Sequence, residues 1–151
     1  MCLHADKNQV VETLTEPMTV YKVYFVNCTS LLSPFRQHHS TLGEETSIGH
    51  SLDYVNTLEP EDMTYVNGTQ FRMVKTIRSA YHSFVNLDDA LALRRYRCNG
   101  NIDPHLGQWE VIECEIPTGA QIIRGLDDER KACIGSDRIK PLIVTPPILT
   151  L

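Results

Sequence analysis

Strand patterns recur along the chain as runs of β-branched and aromatic residues, or as apolar and polar residues in alternation. The clearest alternation lies in residues 109–116, where Ile112, Cys114 and Ile116 are separated by two glutamates. A Pro-Thr-Gly turn then leads to a second strand at 120–124, so the two predict a β-hairpin. Further strands are predicted at residues 20–28, within 70–85 and at 138–145.

One helix is predicted at about residues 87–97. Asn86 can cap its first turn, and Asp88 and Asp89 follow at the positive end of the helix dipole. Alanine and leucine dominate the next residues, and basic residues and a glycine end the pattern.

The other segments have weaker patterns. Residues 29–69 contain many turn residues and predict a long irregular loop region, interrupted by short strands near 46–48 and 63–66. Residues 127–137 predict a charged loop or a short helical turn. Residues 1–18 predict an N-terminal arm or edge segment, and residues 146–151 a C-terminal tail.

Together these elements predict an α+β fold in one domain, residues 1–151. We expect a twisted, mostly antiparallel sheet of about five to seven strands with one principal helix on a face. Pro141, within the last strand, favours an edge position or a bulge.

Composition and charge narrow the class of protein. No apolar run is long enough for a membrane span, and the first residues do not resemble a signal peptide. Five cysteines without a CxxC pair predict a reducing, cytoplasmic compartment rather than a disulfide framework. The net charge of −5 opposes general nucleic-acid binding, yet residues 72–97 carry six basic and two acidic residues. Such a segment fits a small anionic ligand or an acidic partner, and the alternative is a solvated basic face balanced by acids elsewhere in the chain.

Several short motifs together resemble a family of small proteins from bacteriophages and prophage-bearing bacteria. They comprise the Met-Cys-Leu start, Val-Tyr-Lys-Val, Leu-Ser-Pro-Phe-Arg, His-Ser-Phe and Cys-Glu-Ile-Pro-Thr-Gly-Ala, spread over most of residues 1–145. The resemblance implies a phage-type accessory protein in the cytoplasm of a bacterial host. It transfers no catalytic residues.

Candidate ligand-binding residues cluster in two places. The segment 33–40 combines a proline turn with Phe35, Arg36, His38 and His39, which offer a stacking ring, a guanidinium and two imidazoles. Before the helix, the sequence Tyr81-His82 precedes free backbone N–H groups that suit an anion. An exposed turn and a structural histidine are the alternatives for these two places.

Arg94 and Arg97 complete the predicted ligand-binding set. Both lie in the last helical turn, where basic residues also compensate the helix dipole. We expect Arg36 and at least one of these two arginines to line a common pocket.

The sequence therefore favours a non-catalytic binding module that binds or sequesters a small anionic ligand, such as a nucleotide signal of host defence. One alternative is an NAD-using enzyme, because Glu113 and Glu115 resemble the Glu-x-Glu element of mono-ADP-ribosyltransferases. That family has arginine where Lys22 stands here, and its Ser-Thr-Ser motif is missing. The other alternative is a module that binds a host protein. No cofactor or metal site is predicted, and a homo-oligomer is left open.

Overall fold

The structure, a computed structural model, describes residues 3–28, 30–33, 39–60, 71–98 and 108–145. Within these ranges the chain forms thirteen β-strands and one α-helix, α1, at Leu87–Cys98. The strands are β1 (Leu3–Asp6), β2 (Glu12–Thr13), β3 (Met18–Asn27), β4 (Ser30–Leu32), β5 (His39–Thr41), β6 (Thr46–Ser47), β7 (Asp53–Pro60), β8 (Phe71–Ser79), β9 (Tyr81–Phe84), β10 (Gln108–Ile116), β11 (Gln121–Leu126), β12 (Ala132–Ser136) and β13 (Arg138–Thr145).

The strands form one antiparallel sheet in the order β6-β13-β10-β3-β9-β12-β11-β1-β8-β7. The short strand β2 pairs with β11, and β4 pairs with β3 and β5. The fold is therefore nearly all-β, and the prediction of an α+β fold with a principal helix is wrong. The helix itself is where the sequence predicts it, but it is one short element on a much larger sheet.

The two faces of the sheet carry two separate cores, because successive side chains of a strand point to opposite sides. On one side, Val23, Val111 and Phe84 pack with Ala90 of α1, and we call this side the helix face. On the other side, Val20, Ile112, Ile122 and Ile134 form the second core. We call this side the cleft face.

Strand partners depart from the sequence predictions. β10 pairs with β3 and β13, whereas β11 pairs with β12, β1 and β2, so the predicted hairpin between β10 and β11 is wrong. The turn between them carries the chain from one part of the sheet to another. The register shift where Pro141 pairs with Cys114 confirms the predicted bulge.

Six strands lie where the sequence predicts none: β1, β2, β4, β5, β7 and β12. β1 pairs on both sides, so residues 3–6 are an internal strand and not an arm. β7 occupies residues 53–60 of the predicted irregular loop, and β12 lies in the predicted charged loop. The predicted short strand near 46–48 is confirmed by β6, whereas 63–66 and the tail at 146–151 lie outside the described residues. Of the helices in the described part, none is long and apolar enough to cross a membrane.

Candidate functional site

A cleft of about 720 Å³ lies over the β11, β1, β8 and β7 end of the cleft face. Its position follows from β1, in which the buried Leu3 and Ala5 point to the helix face. His4 and Asp6 must then point to the cleft face. Their neighbours on that face come from the adjacent strands, since His4 pairs with Thr76 and Leu126 and Asp6 pairs with Val74.

Three arginines line the cleft. The guanidinium of Arg72 donates from Nε and Nη2 to one oxygen of Glu59, at 3.0 and 2.6 Å. Arg124 lies 3.4 Å from Glu12 through Nε, in a pair with both side chains largely open to solvent. Arg130 forms no ion pair with any residue that the structure describes.

The backbone of Arg130 has a φ of 62°, in the left-handed region that glycine prefers. It lies in the tight turn between β11 and β12, where its N–H donates to the carbonyl of Asp127 at 3.0 Å. Asp127 Oδ1 accepts the N–H groups of Glu129 and Lys131, at 2.9 and 2.8 Å, and so holds the turn in this shape. The chain thus carries a long cationic side chain at a strained position beside the cleft.

A chain of hydrogen bonds fixes His4 in the cleft wall. Its Nε2 lies 3.1 Å from Asp128 Oδ1, and its Nδ1 lies 3.2 Å from Thr76 Oγ1. Thr76 Oγ1 is in turn 2.7 Å from Thr57 Oγ1. Because both ring nitrogens are engaged, the imidazole has one orientation in the cleft.

The cleft also contains carboxylates, most of which are already engaged. Glu59 is paired with Arg72, Asp127 binds backbone N–H groups, and Asp128 contacts His4. Asp6 also lines the cleft, and its Oδ1 accepts the N–H of Asn8 at 2.9 Å. The site therefore offers guanidinium donors together with carboxylate acceptors, over the apolar surface of Val74 and Leu126.

Of the residues that the sequence singles out, Phe35, Arg36 and His38 lie outside the described part of the chain. His39 is exposed on β5, on the helix-face side, because its register continues through Leu32 to Phe25. Phe25 packs edge-on against Trp109, with ring centroids 5.4 Å apart.

The remaining predicted residues lie on both faces of the sheet. Tyr81 is buried in the core of the cleft face. His82 is half-buried, and its carbonyl accepts a hydrogen bond from Lys22 Nζ at 2.9 Å. Arg94 binds the carbonyl of Trp109 through Nε at 3.0 Å.

Arg97 lies with its guanidinium carbon 5.3 Å from the centre of the Trp109 ring. It also lines a second cavity, of about 380 Å³, beside α1. Lys131 is the other cation there, whereas four carboxylates line the same space: Asp89, Asp127, Asp128 and Glu129. This excess of negative charge does not suit an anion.

Glu113 and Glu115, the residues behind the enzyme alternative, are half-buried in the middle of the sheet. Glu115 pairs with Thr19 on β3 and with Lys140 on β13. Within the described residues, no group of three or more His, Cys, Asp or Glu side chains could hold a metal ion.

Lys22 is a buried cation on the cleft face, 7% exposed between Val20 and Tyr24. Desolvation lowers the pKa of Lys22 from 10.5 to about 8, and the neighbouring Cys114 and Cys133 oppose this shift weakly. Burial raises the pKa of each of these two thiols to about 12, so both keep their protons in the folded protein well above neutral pH.

The stability of the protein should therefore rise from pH 7 to pH 9 through Lys22. In this window the unfolded chain keeps the Lys22 proton while the folded chain loses it, and unfolding free energy increases with pH when the unfolded state binds more protons. The gain from Lys22 is about 1 kcal/mol, whereas Cys114 and Cys133 oppose it, because the unfolded chain begins to lose their protons in this window while the folded chain keeps them. Urea unfolding in sodium gluconate should therefore show a change from pH 7 to pH 9 that is more favourable by about 1 kcal/mol in the native protein than in Lys22→Met. An equal pH dependence in both proteins would contradict the burial of this amine.

Comparison of the chain with family models, curated proteins and solved structures finds no match. Sequence reasoning missed His4, Arg124 and Arg130. The period-two pattern of Leu3 to Asp6, with apolar and polar residues in turn, is the signal that could have placed His4 and Asp6 on one strand face.

Proposed function

We propose that the protein is a non-catalytic binding protein whose cleft holds a nucleoside phosphate. The observation that carries the proposal is Arg130, a guanidinium without an ion pair among the described residues, in a strained turn beside the cleft. Guanidinium groups form strong, often bidentate hydrogen bonds with phosphate. Residues with a strained backbone conformation cluster at functional sites, so the conformation of Arg130 supports a function for this cleft.

The mixed charge of the cleft supports a nucleoside phosphate over a simple anion. Arg130 and Arg124 suit the phosphate, and Asp6 can accept hydrogen bonds from ribose hydroxyl or base amino groups. Val74 and Leu126 supply an apolar surface for the ring of a base. The volume lies within the range of about 300–1,000 Å³ that small-molecule sites have.

The biological setting is part of the proposal. A bound nucleotide would be sequestered, which requires affinity and no chemistry. The resemblance to phage and prophage proteins supports a role against a nucleotide signal of host defence, in the bacterial cytoplasm. His39, Arg94 and Arg97 would then belong to a separate surface on the helix face.

Calorimetric titration with AMP, adenosine and inorganic phosphate tests the ligand class. We expect AMP to bind at least about tenfold more tightly than adenosine, because adenosine cannot pair with the arginines. Phosphate alone should bind more weakly than AMP, because it leaves Asp6 and the apolar surface without contacts. Equal binding of AMP and adenosine, or no binding of AMP at millimolar concentration, would refute the proposal.

One observation favours a second candidate function, a hydrolytic activity. Asp128, His4 and Thr76 are linked in the order carboxylate, imidazole and hydroxyl, as in nucleophilic enzymes. Turnover of p-nitrophenyl acetate that is lost in both His4→Ala and Thr76→Val would support hydrolysis. If the native protein hydrolyses the ester no faster than these two variants, the hydrogen bonds from Asp128 to Thr76 serve only to orient His4.

A further inference from the structure

Three buried hydrogen-bond donors lie on the cleft face of three adjacent strands, β3, β9 and β12, away from the cleft itself. They are the ammonium group of Lys22 and the hydroxyl groups of Ser83 and Ser136. Ser83 is 1% exposed and Ser136 is fully buried, and neither hydroxyl has a hydrogen-bond partner among the described residues. Buried hydroxyl groups without partners are rare and call for an explanation.

The register places these groups on one side of three neighbouring strands. Tyr21 pairs with Phe84, so Lys22 and Ser83 occupy the next position of the same antiparallel ladder and point to the same side. Ser83 pairs with Ile134 on β12, two residues before Ser136, which therefore points to that side as well.

The set of three donors carries the positive charge of Lys22, which the surrounding side chains do not balance. Lys22 Nζ donates one hydrogen bond, to the carbonyl of His82, and lies 5.5 Å from the centre of the Tyr24 ring. Among the residues that the structure describes, no carboxylate forms an ion pair with it. The strand positions beside it, Ile112 and Cys114, are apolar or weakly polar.

We propose that Lys22, Ser83 and Ser136 form a binding site for a small inorganic anion of halide size within the sheet. All three groups donate hydrogen bonds, so the complementary guest is an acceptor. A water molecule would satisfy the hydroxyl groups but leave the buried charge of Lys22 uncompensated. An anion accepts hydrogen bonds from the hydroxyl groups and also compensates the charge. The site is independent of the nucleotide cleft, because it uses none of the cleft residues.

Thermal unfolding in sodium chloride and in sodium gluconate, at the same ionic strength and pH 7, tests the site. An anion that binds only the folded protein stabilises it. We expect chloride to raise the Tm of the native protein by about 3–5 °C relative to gluconate. The rise should vanish in Lys22→Met and shrink in Ser83→Ala.

Lys75→Met is the matched control. Lys75 Nζ also donates to one backbone carbonyl, that of Gln9 at 2.6 Å, and lies 4.8 Å from the Tyr54 ring, but its side chain is only half-buried. The chloride effect should survive in this variant. An equal effect in Lys22→Met and in the native protein would overturn the proposal.

Bromide keeps the proposal testable if Lys22→Met does not fold. Crystals of the native protein grown in sodium bromide should show an anomalous peak within about 3.5 Å of Lys22 Nζ. A water molecule at this position, without anomalous signal, would overturn the proposal.

Discussion

Replacing Arg130 with glycine should make the protein more stable and its binding of AMP weaker. Glycine adopts a positive φ without the steric cost that Arg130 bears at 62°. We expect the free energy of unfolding to rise by about 0.5–1 kcal/mol. The affinity for AMP should fall by about tenfold or more, since an arginine contact to the phosphate is lost.

Cys28 provides the control for this prediction. It is the other non-glycine residue with a positive φ in the described part of the chain, at 56°, and it is exposed at the end of β3. Cys28→Gly should raise stability by a similar amount and leave AMP binding unchanged. If both glycine variants bind AMP as the native protein does, Arg130 is not a ligand contact.

Replacing Gly125 with alanine should destabilise the protein by about 2–3 kcal/mol. A Cβ atom at this position would lie 2.5 Å from the carbonyl oxygen of His4 and 3.0 Å from its carbonyl carbon. Neither backbone atom can move without separating β1 from β11. Because His4 and Asp6 stand on β1, AMP binding should weaken as well.

Gly49→Ala is the control for the added methyl group. Gly49 has a φ of 78°, and no atom of another described residue lies within 4 Å of a Cβ there, so its replacement strains only the backbone, at about 1 kcal/mol. Urea unfolding of both variants measures the difference. A cost for Gly125→Ala no larger than that for Gly49→Ala would mean that β1 does not pair with β11 in the described register.

Local patterns predict individual elements of this fold well. The helix at 87–97 follows from its cap, its first-turn aspartates and its final basic residues, all of which act within one helical turn. The strand at β10 follows from its alternation, and the bulge at Pro141 from the missing N–H of proline. These features depend on neighbours in the sequence.

Strand partners could not be predicted in the same way. The alternation of β10 is equally compatible with β11 or β3 beside it, and the tertiary packing decides for β3. β12 has Cys133, Ile134 and Ser136 buried toward both faces, so it shows no alternation. The short internal strand β1 offers only four residues to a periodicity argument.

The cleft illustrates the same limit at the level of the site. Its arginines stand at positions 72, 124 and 130, and only the first belongs to the basic segment that the sequence analysis singles out. They meet because β8, β1 and β11 are neighbours in the sheet. Counting charges along the chain groups residues that are close in sequence. The arginines of this site are far apart in sequence, and the order of the strands in the sheet brings them to one cleft.

The most direct test of the account is to map AMP binding on the protein by NMR. Amide resonances of residues 4–6, 72–74 and 124–130 should shift on titration with AMP and shift much less with adenosine at the same concentration. The resonances around Trp109 and His39, on the helix face, should not respond. Shifts confined to that face, with the cleft residues unaffected, would contradict the proposal that the cleft binds the nucleotide.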